Sequence, residues 1–307
     1  MQKNSNENKK KGNRKGFALL AAACALAAVF GIVWIIKYII VLNKSGKEFD
    51  SLKNSYVQES VVTVEAEKET ESSQNPEEPV TESEGEDQPD AAALEEERKA
   101  LLEKYQVPEK VIDFTALQEE QNADIYAWIT IPDTRIDYPV LQSEEELDYY
   151  LERNLDGSTG LPGCIYTQMI NSRDFTDPNT VIYGHNMKNG SMFANLHYYE
   201  DFQFFEEHPY VYIYMPEEIL VYEVFAAYEF PGVHLLMGFD VNTEESFAEY
   251  LQNIYAASGM KNQFNQDIKE ELSGESRIIT LSTCIGNKSD KRWLVAALLR
   301  ERIPEGL

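Results

Sequence analysis

The chain holds three cysteines, and Cys284 is the one placed for chemistry. It closes the apolar run RIITLSTC and precedes the polar loop IGNKSDK. A thiol where a strand meets a loop can reach solvent. A nucleophilic thiolate needs that access, a base within reach and a positive field. Four histidines are base candidates: His185, His197, His208 and His234. His185, in VIYGHNM, stands where another apolar run enters a glycine-containing loop. His197 and His208 fall in an aromatic, acid-rich stretch and read as surface or packing residues. His234 lies in a long connection and receives no role. The positive candidates are Arg292, Lys291 and Lys288, all just past the Cys284 loop. Arg292 opens the run RWLVAALL, from which its side chain can turn back over the end of the Cys284 strand. Its rigid donor fork suits an oxyanion better than a lysine does. Cys164, inside GCIYTQ, reads as a small buried hydrophobe, with a Cys164–Cys284 disulfide as the alternative.

The elements that would hold these residues are short. From about residue 110 come eight apolar runs: YAWITI, IDYPVLQ, GCIYTQ, TVIYGH, YVYIYMP, ILVYEVFAAYEF, RIITLSTC and WLVAALLRERI. They are rich in Ile, Val, Tyr and Phe and are divided by turn residues such as Pro132-Asp133 and Asp177-Pro178. Eight strands at this spacing predict an antiparallel-rich barrel rather than a doubly wound sheet. Residues 191–208 and 242–258 read as helical, the second with an apolar face at 247, 251, 254 and 255. Residues 91–105, AAALEEERKALLEKY, read as a surface helix leading into the domain.

Charge and hydropathy divide the chain of 307 residues further. Residues 17–36 are 20 uncharged residues, enough to cross about 30 Å of hydrocarbon as a helix. Six basic residues and one acid precede them, which predicts a membrane anchor with its N-terminus in the cytoplasm. The run is too long for the core of a cleaved signal peptide. Residues 59–97 carry 15 acids and one Lys and read as a solvated linker. The expected layout is a basic tail at 1–16, an anchor at 17–42, an acidic extracellular spacer at 43–109 and a globular domain at 110–307. That domain carries 33 acids against 12 basic residues from 111 onward, a balance that repels phosphate backbones and argues against nucleic acid as a partner. The three cysteines offer no cysteine-rich zinc site.

Taken together, TLSTC closing one strand, an Arg eight residues later opening the next, and YGHN 99 residues upstream of the Cys resemble the sortases of Gram-positive cell surfaces. Ser282 in LSTC, the stretch WITIPDTRIDYPVLQ, the pattern NLDGSTG-PG-IY and a helix-bearing insert at 231–275 look like class B. The resemblance covers residues 110–304. It implies a mainly β fold, an eight-stranded sortase barrel with flanking helices, preceded by N-terminal helices and a single transmembrane helix. It also implies a cysteine transpeptidase without metal or organic cofactor. Cys284 would be the nucleophile, His185 the general acid/base and Arg292 the donor to the oxyanion or substrate. Ser282 and Thr283 are candidate groove residues. Asn154, in the NLDG turn, is a candidate substrate contact or a turn residue. Where some class B members have an acid two residues after the Cys, this chain has Gly286.

The implied substrate is a surface protein with a C-terminal sorting signal, cleaved after Thr. The acceptor would be an amine of peptidoglycan or a pilin lysine. A papain-like peptidase is disfavoured, because there the Cys precedes the His and opens a helix. A non-enzymatic binding module would lack one of the three residues, and all three are present. The second, C-terminal span that pilin-polymerising enzymes often carry is not expected in a chain ending RERIPEGL.

Overall fold

A computed structural model describes residues 3–59, 91–286 and 288–305. The core of the acidic spacer, 60–90, lies outside the described residues. The chain divides into two compact units, Met1–Asp50 and Ser51–Leu307.

Helix α1 runs from Lys3 to Tyr56 and carries the long apolar run. Among the described residues it alone is long and apolar enough to cross a membrane. Trp34, Phe30 and Ile36 are exposed along it, as a lipid-facing helix requires. It continues beyond the expected anchor edge at residue 42. The next three residues form β1 (Val57–Glu59), which pairs antiparallel with β2 (Lys110–Ile112). The predicted surface helix is α2 (Ala91–Lys104). Then follow α3 (Phe114–Glu120), β3 (Ile125–Thr130), β4 (Asp137–Leu141), β5 (Ile165–Thr167), β6 (Asn179–Tyr183), α4 (Phe202–Glu207), β7 (Tyr210–Tyr214) and β8 (Glu218–Pro231). The insert contributes α5 (Leu235–Gly238), α6 (Glu244–Tyr255), β9 (Gln263–Phe264) and α7 (Gln266–Lys269). The chain closes with β10 (Ile278–Ile285) and β11 (Lys288–Pro304). Two 3-10 turns, Tyr149–Leu151 and Phe193–Glu200, complete it.

The strand order is β11-β10-β6-β5-β4-β3-β7-β8, and β8 pairs back onto β11. Eight strands therefore close a barrel, and the two-residue β9 adds only to the upper half of β8. Closure removes free sheet edges. The eight strands are the eight apolar runs. Six of the ring pairings are antiparallel, and two, β4–β5 and β6–β10, are parallel. The β6–β10 pair matters most for the site.

Trp128, Tyr212, Tyr214 and Ile303 of the barrel strands pack against Leu52, Tyr105, Val107 and Phe114 from the segments that precede β3. A second cluster, with Phe225, Tyr228, Leu294 and Ala296, packs beneath α6. That helix opens with a capping box, Thr243 with Ser246, and with Glu244 and Glu245 in its first turn, where the helix dipole favours acids. It buries Phe247, Tyr250, Leu251 and Ile254, the i, i+3, i+4, i+7 stripe of one face. The sequence placed Tyr255 on that face; Tyr250 takes the buried position instead, and Tyr255 is half-buried.

Candidate active site

The site is built at the ends of three neighbouring strands. Parallel pairing sets Tyr183 of β6 level with Ser282 of β10. The ladder continues one step, with Gly184 N–H donating to Ser282 O at 3.1 Å. The hydroxyl of Thr283 then donates to Gly184 O at 2.8 Å. This register brings His185 level with Cys284. On the other side of β10, antiparallel pairing sets Arg292 of β11 directly opposite Cys284. Residues opposite one another on adjacent strands share a face, with Cβ atoms about 5 Å apart. His185, Cys284 and Arg292 thus form one row across three strands, with the thiol in the middle. All three line a cleft of 310 Å³, together with Tyr166, Ser282 and His234.

Each member of the row is held from behind. His185 follows Gly184, where a Cβ would lie 2.5 Å from Ile165 Cδ1 and 2.7 Å from Phe193 Cγ. Only glycine lets the chain pass so close to those two buried side chains. The Nε2 of His185 lies 2.7 Å from Leu151 O. A carbonyl only accepts, so Nε2 carries the proton and Nδ1 is the nitrogen left for proton exchange. Gly163, at φ +66°, leaves room for the Leu151 carbonyl, which a Cβ there would approach to 2.5 Å. Past His185 the chain turns back, with Phe193 N–H donating to His185 O at 3.0 Å.

Cys284 is exposed, Cys164 is buried, and neither is in a disulfide. The alternative disulfide is therefore corrected: Cys164 points its thiol at Arg153 O, 3.4 Å away. A bulge between Cys284 and Ile285 ends the regular β10–β11 register, and Gly286 follows at φ +24°. The other two cations are engaged elsewhere. Lys288 and Lys291 both contact the Glu229 carboxylate. Their hydrogen bonds hold that carboxyl below its ordinary range. Arg292, which alternates to the opposite face from Lys291, is the cation of the three that lines the cleft. Its guanidinium donates to Lys291 O at 3.0 Å and passes beside Gly232.

The cleft floor is polar and neutral at the phenols. Burial, and next the Asp148 carboxylate, push Tyr166 and Tyr183 well above the usual phenol range. Tyr166 donates to Asp148 Oδ1 at 3.1 Å and Gln168 donates to the same oxygen at 2.8 Å.

The remaining candidates divide. Ser282 is buried and lines the cleft. Thr283, also buried, lines the cleft too, and its hydroxyl fastens β10 to the end of β6. Asn154 does not line the cleft. Its Oδ1 accepts from Gly163 N–H at 3.1 Å and its Nδ2 donates to Ser158 Oγ at 3.0 Å, both roles internal to the loop. It reaches the site only through Gly163 and the Leu151 carbonyl. His208 ends α4, stacked on Phe204. His234 caps α5, its Nδ1 accepting from Met237 N–H at 3.2 Å, and it lines the cleft. His197, read from sequence as surface or packing, instead lies behind the nucleophile: its Nε2 is 3.0 Å from Cys284 O. A His-x-x-Glu spacing in the sequence was the sole signal for it, and that spacing is too common to single a residue out.

Known proteins resemble this chain in sequence and fold. The sortase domain family model matches residues 129–300, more than half of the chain. Sortase B of Listeria monocytogenes is 39% identical over 138 residues, which are 44% of this chain and 52% of that protein. The match thus spans about half the length of that relative. The crystal structure of Clostridium perfringens sortase B is similar at 28% identity and a TM-score of 0.53, covering 61% of this chain and 99% of that one. A class B sortase of Streptococcus pyogenes involved in pilus biogenesis is similar at 26% identity and a TM-score of 0.51, covering 61% and 98%. The chain belongs to the sortase family of cysteine transpeptidases, and its similarity runs to class B members.

Proposed function

We propose that this chain is a membrane-anchored transpeptidase that cleaves a sorting signal after Thr and passes the acyl group to an amine. The observation that carries the proposal is the row His185–Cys284–Arg292 across three adjacent strand ends in one cleft. The Cys284 sulfur attacks the Thr carbonyl carbon and His185 Nδ1 takes up the thiol proton. Arg292 donates to the carbonyl oxygen as it gains negative charge. The C–N bond then breaks, His185 returns the proton to the leaving amine, and a thioester to Cys284 remains. An incoming amine attacks that thioester and loses a proton to His185, the C–S bond breaks, and His185 returns the proton to the Cys284 sulfur. Two acyl transfers replace one difficult step. The basic residues ahead of the apolar run support an N-terminus in the cytoplasm and a catalytic domain outside, tethered by the acidic spacer. The acceptor is an amine of peptidoglycan; the pilus-associated relative supports a pilin lysine as the second reading.

The test is a panel of fluorescence-quenched peptides with the full-length chain in detergent. The panel holds NPQTN-like, LPXTG-like and scrambled sequences, each with and without a wall-peptide amine or a lysine peptide. Cleavage after Thr with an amine-linked product, lost in Cys284→Ala, is the expected result. Cleavage that survives Cys284→Ala would remove the nucleophile, and binding without cleavage would leave a non-enzymatic module.

A further inference from the structure

We infer that His197 is a positioning residue for the nucleophile, acting through the backbone carbonyl of Cys284. The inference rests on the reading of Cys284 as the nucleophile. Strand β10 runs three residues past Ser282, the partner of the last residue of β6. Ser282 O still receives a backbone N–H from Gly184, but after His185 the chain turns away. The next carbonyl on that side, Cys284 O, therefore meets side chains instead of a strand. Asn186 Nδ2 lies 2.8 Å from it and His197 Nε2 lies 3.0 Å from it.

The imidazole of His197 is fixed on every other side. Its Nδ1 is 2.7 Å from Glu200 Oε1. Its ring stacks on Trp293 at 5.9 Å, and Trp293 is pinned by its own N–H to Leu196 O at 2.9 Å. Lys261, from the insert, holds the other oxygen of Glu200. Burial opposes ionisation of Glu200, yet hydrogen bonds from Lys261 and His197 keep its carboxyl below the ordinary range. The side chains of His197 and Glu200 are each only 20% exposed.

Asn186 Nδ2 is also 2.9 Å from His197 Nε2. With Nε2 bare, the amide bridges the ring to Cys284 O while Nδ1–H donates to Glu200. With both nitrogens protonated, Nε2–H donates to Cys284 O directly, a charge-assisted bond. In both states the ring and the amide fix the peptide plane that carries the thiol. A chain of contacts thus runs from Lys261 in the insert to the carbonyl oxygen of the reacting residue. Positioning of this kind acts on the rate of attack and not on peptide binding.

The experiment uses the full-length chain in detergent, with two readouts. One is the alkylation rate of Cys284 by iodoacetamide, read on its own peptide by mass spectrometry. The other is single-turnover acylation by the sorting peptide that the wild type cleaves. His197→Ala is expected to slow both about tenfold, with KM within about twofold. His197→Gln, which can return an amide N–H to the Cys284 carbonyl, is expected to recover to within about threefold of wild type. Wild-type rates in His197→Ala would overturn the inference. So would a His197→Gln variant as slow as His197→Ala with an equal drop in melting temperature, which would make the ring a packing piece. A wild type that cleaves no peptide, with alkylation still slowed by His197→Ala, would sink the transpeptidase reading and leave the positioning role standing.

Discussion

Gly163 lies outside the cleft, yet the structure makes it a control on His185. Its φ of +66° is a left-handed conformation that costs an L residue about 1–2 kcal/mol. A Cβ there would lie 2.5 Å from Leu151 O and 2.8 Å from Tyr150 O. Both obstacles are backbone, so no side chain can swing aside. The shorter contact is about 0.9 Å inside ordinary van der Waals separation. Leu151 O is the atom that accepts from His185 at 2.7 Å. Displaced by that distance, it either leaves hydrogen-bond range or carries the ring with it. Gly163→Ala should therefore cost about 2–4 kcal/mol in stability, from strain and overpacking together. It should also lower kcat about 10²-fold, the scale of an ångström's misplacement, with KM nearly unchanged. Chemical denaturation measures the first effect and steady-state peptide cleavage the second. Cleavage at the wild-type rate in a folded Gly163→Ala variant would refute the claim that the Leu151 carbonyl sets the histidine. Loss of stability with full kcat would confine Gly163 to the fold.

Other substitutions probe the same frame. Gly184→Ala drives a methyl into the fully buried Ile165 and Phe193 and should cost about 2 kcal/mol, with a fall in kcat as the end of β6 shifts against β10, read by calorimetry and peptide cleavage. Arg292→Lys keeps the charge and loses the fork, and kcat should fall about 10²-fold with the melting temperature held. Asp137 is half-buried among Lys110 Nζ at 2.6 Å, Lys53 Nζ at 2.7 Å, Trp128 Nε1 at 2.7 Å and Thr130 Oγ1 at 2.9 Å. Burial alone would raise its pKa, but Lys110 first, then Lys53 and Trp128, bring it below the ordinary 3.8. A carboxyl with a depressed folded pKa stabilises above its unfolded value, and that stability is lost as pH falls through the folded one. Asp137→Asn should thus cost about 3 kcal/mol at pH 7, and the gap to wild type in urea melts should narrow below about pH 4. A gap independent of pH would refute the assignment.

The sequence exposed the strands more fully than their neighbours. All eight apolar runs became barrel strands because β-branched and aromatic residues, bounded by turn residues, suit a half-buried pleated surface. Pairing was not legible in the same way. Nothing in a separation of 99 residues says that β6 lies parallel to β10, and that pairing alone puts His185 level with Cys284. The resemblance supplied this contact before geometry did. The choice of Arg292 over Lys291 was recoverable from strand alternation. The engagement of Lys288 and Lys291 by Glu229 was not, because Glu229 sits on β8, about 60 residues upstream. Asn154 shows the converse. Its turn chemistry was visible in NLDG, and the fold uses both ends of its amide there.

The surroundings of His197 in the sequence do not point to the carbonyl it contacts. An aromatic, acid-rich stretch next to a helix signal reads as surface or packing, and Phe193, Asn195, Leu196 and Tyr199 around it are buried. What turns this one histidine inward is the mismatch in length between two parallel strands. A nucleophile at the end of the longer strand gains exposure and loses the backbone partner that would hold its carbonyl. Exposure and rigidity therefore conflict at that residue, and a ladder hydrogen bond cannot supply both. Side chains reaching in from the turn beyond β6 resolve the conflict, because they satisfy the carbonyl without covering the thiol. The requirement follows from strand ends and not from any motif, so it has no fixed spacing in the sequence.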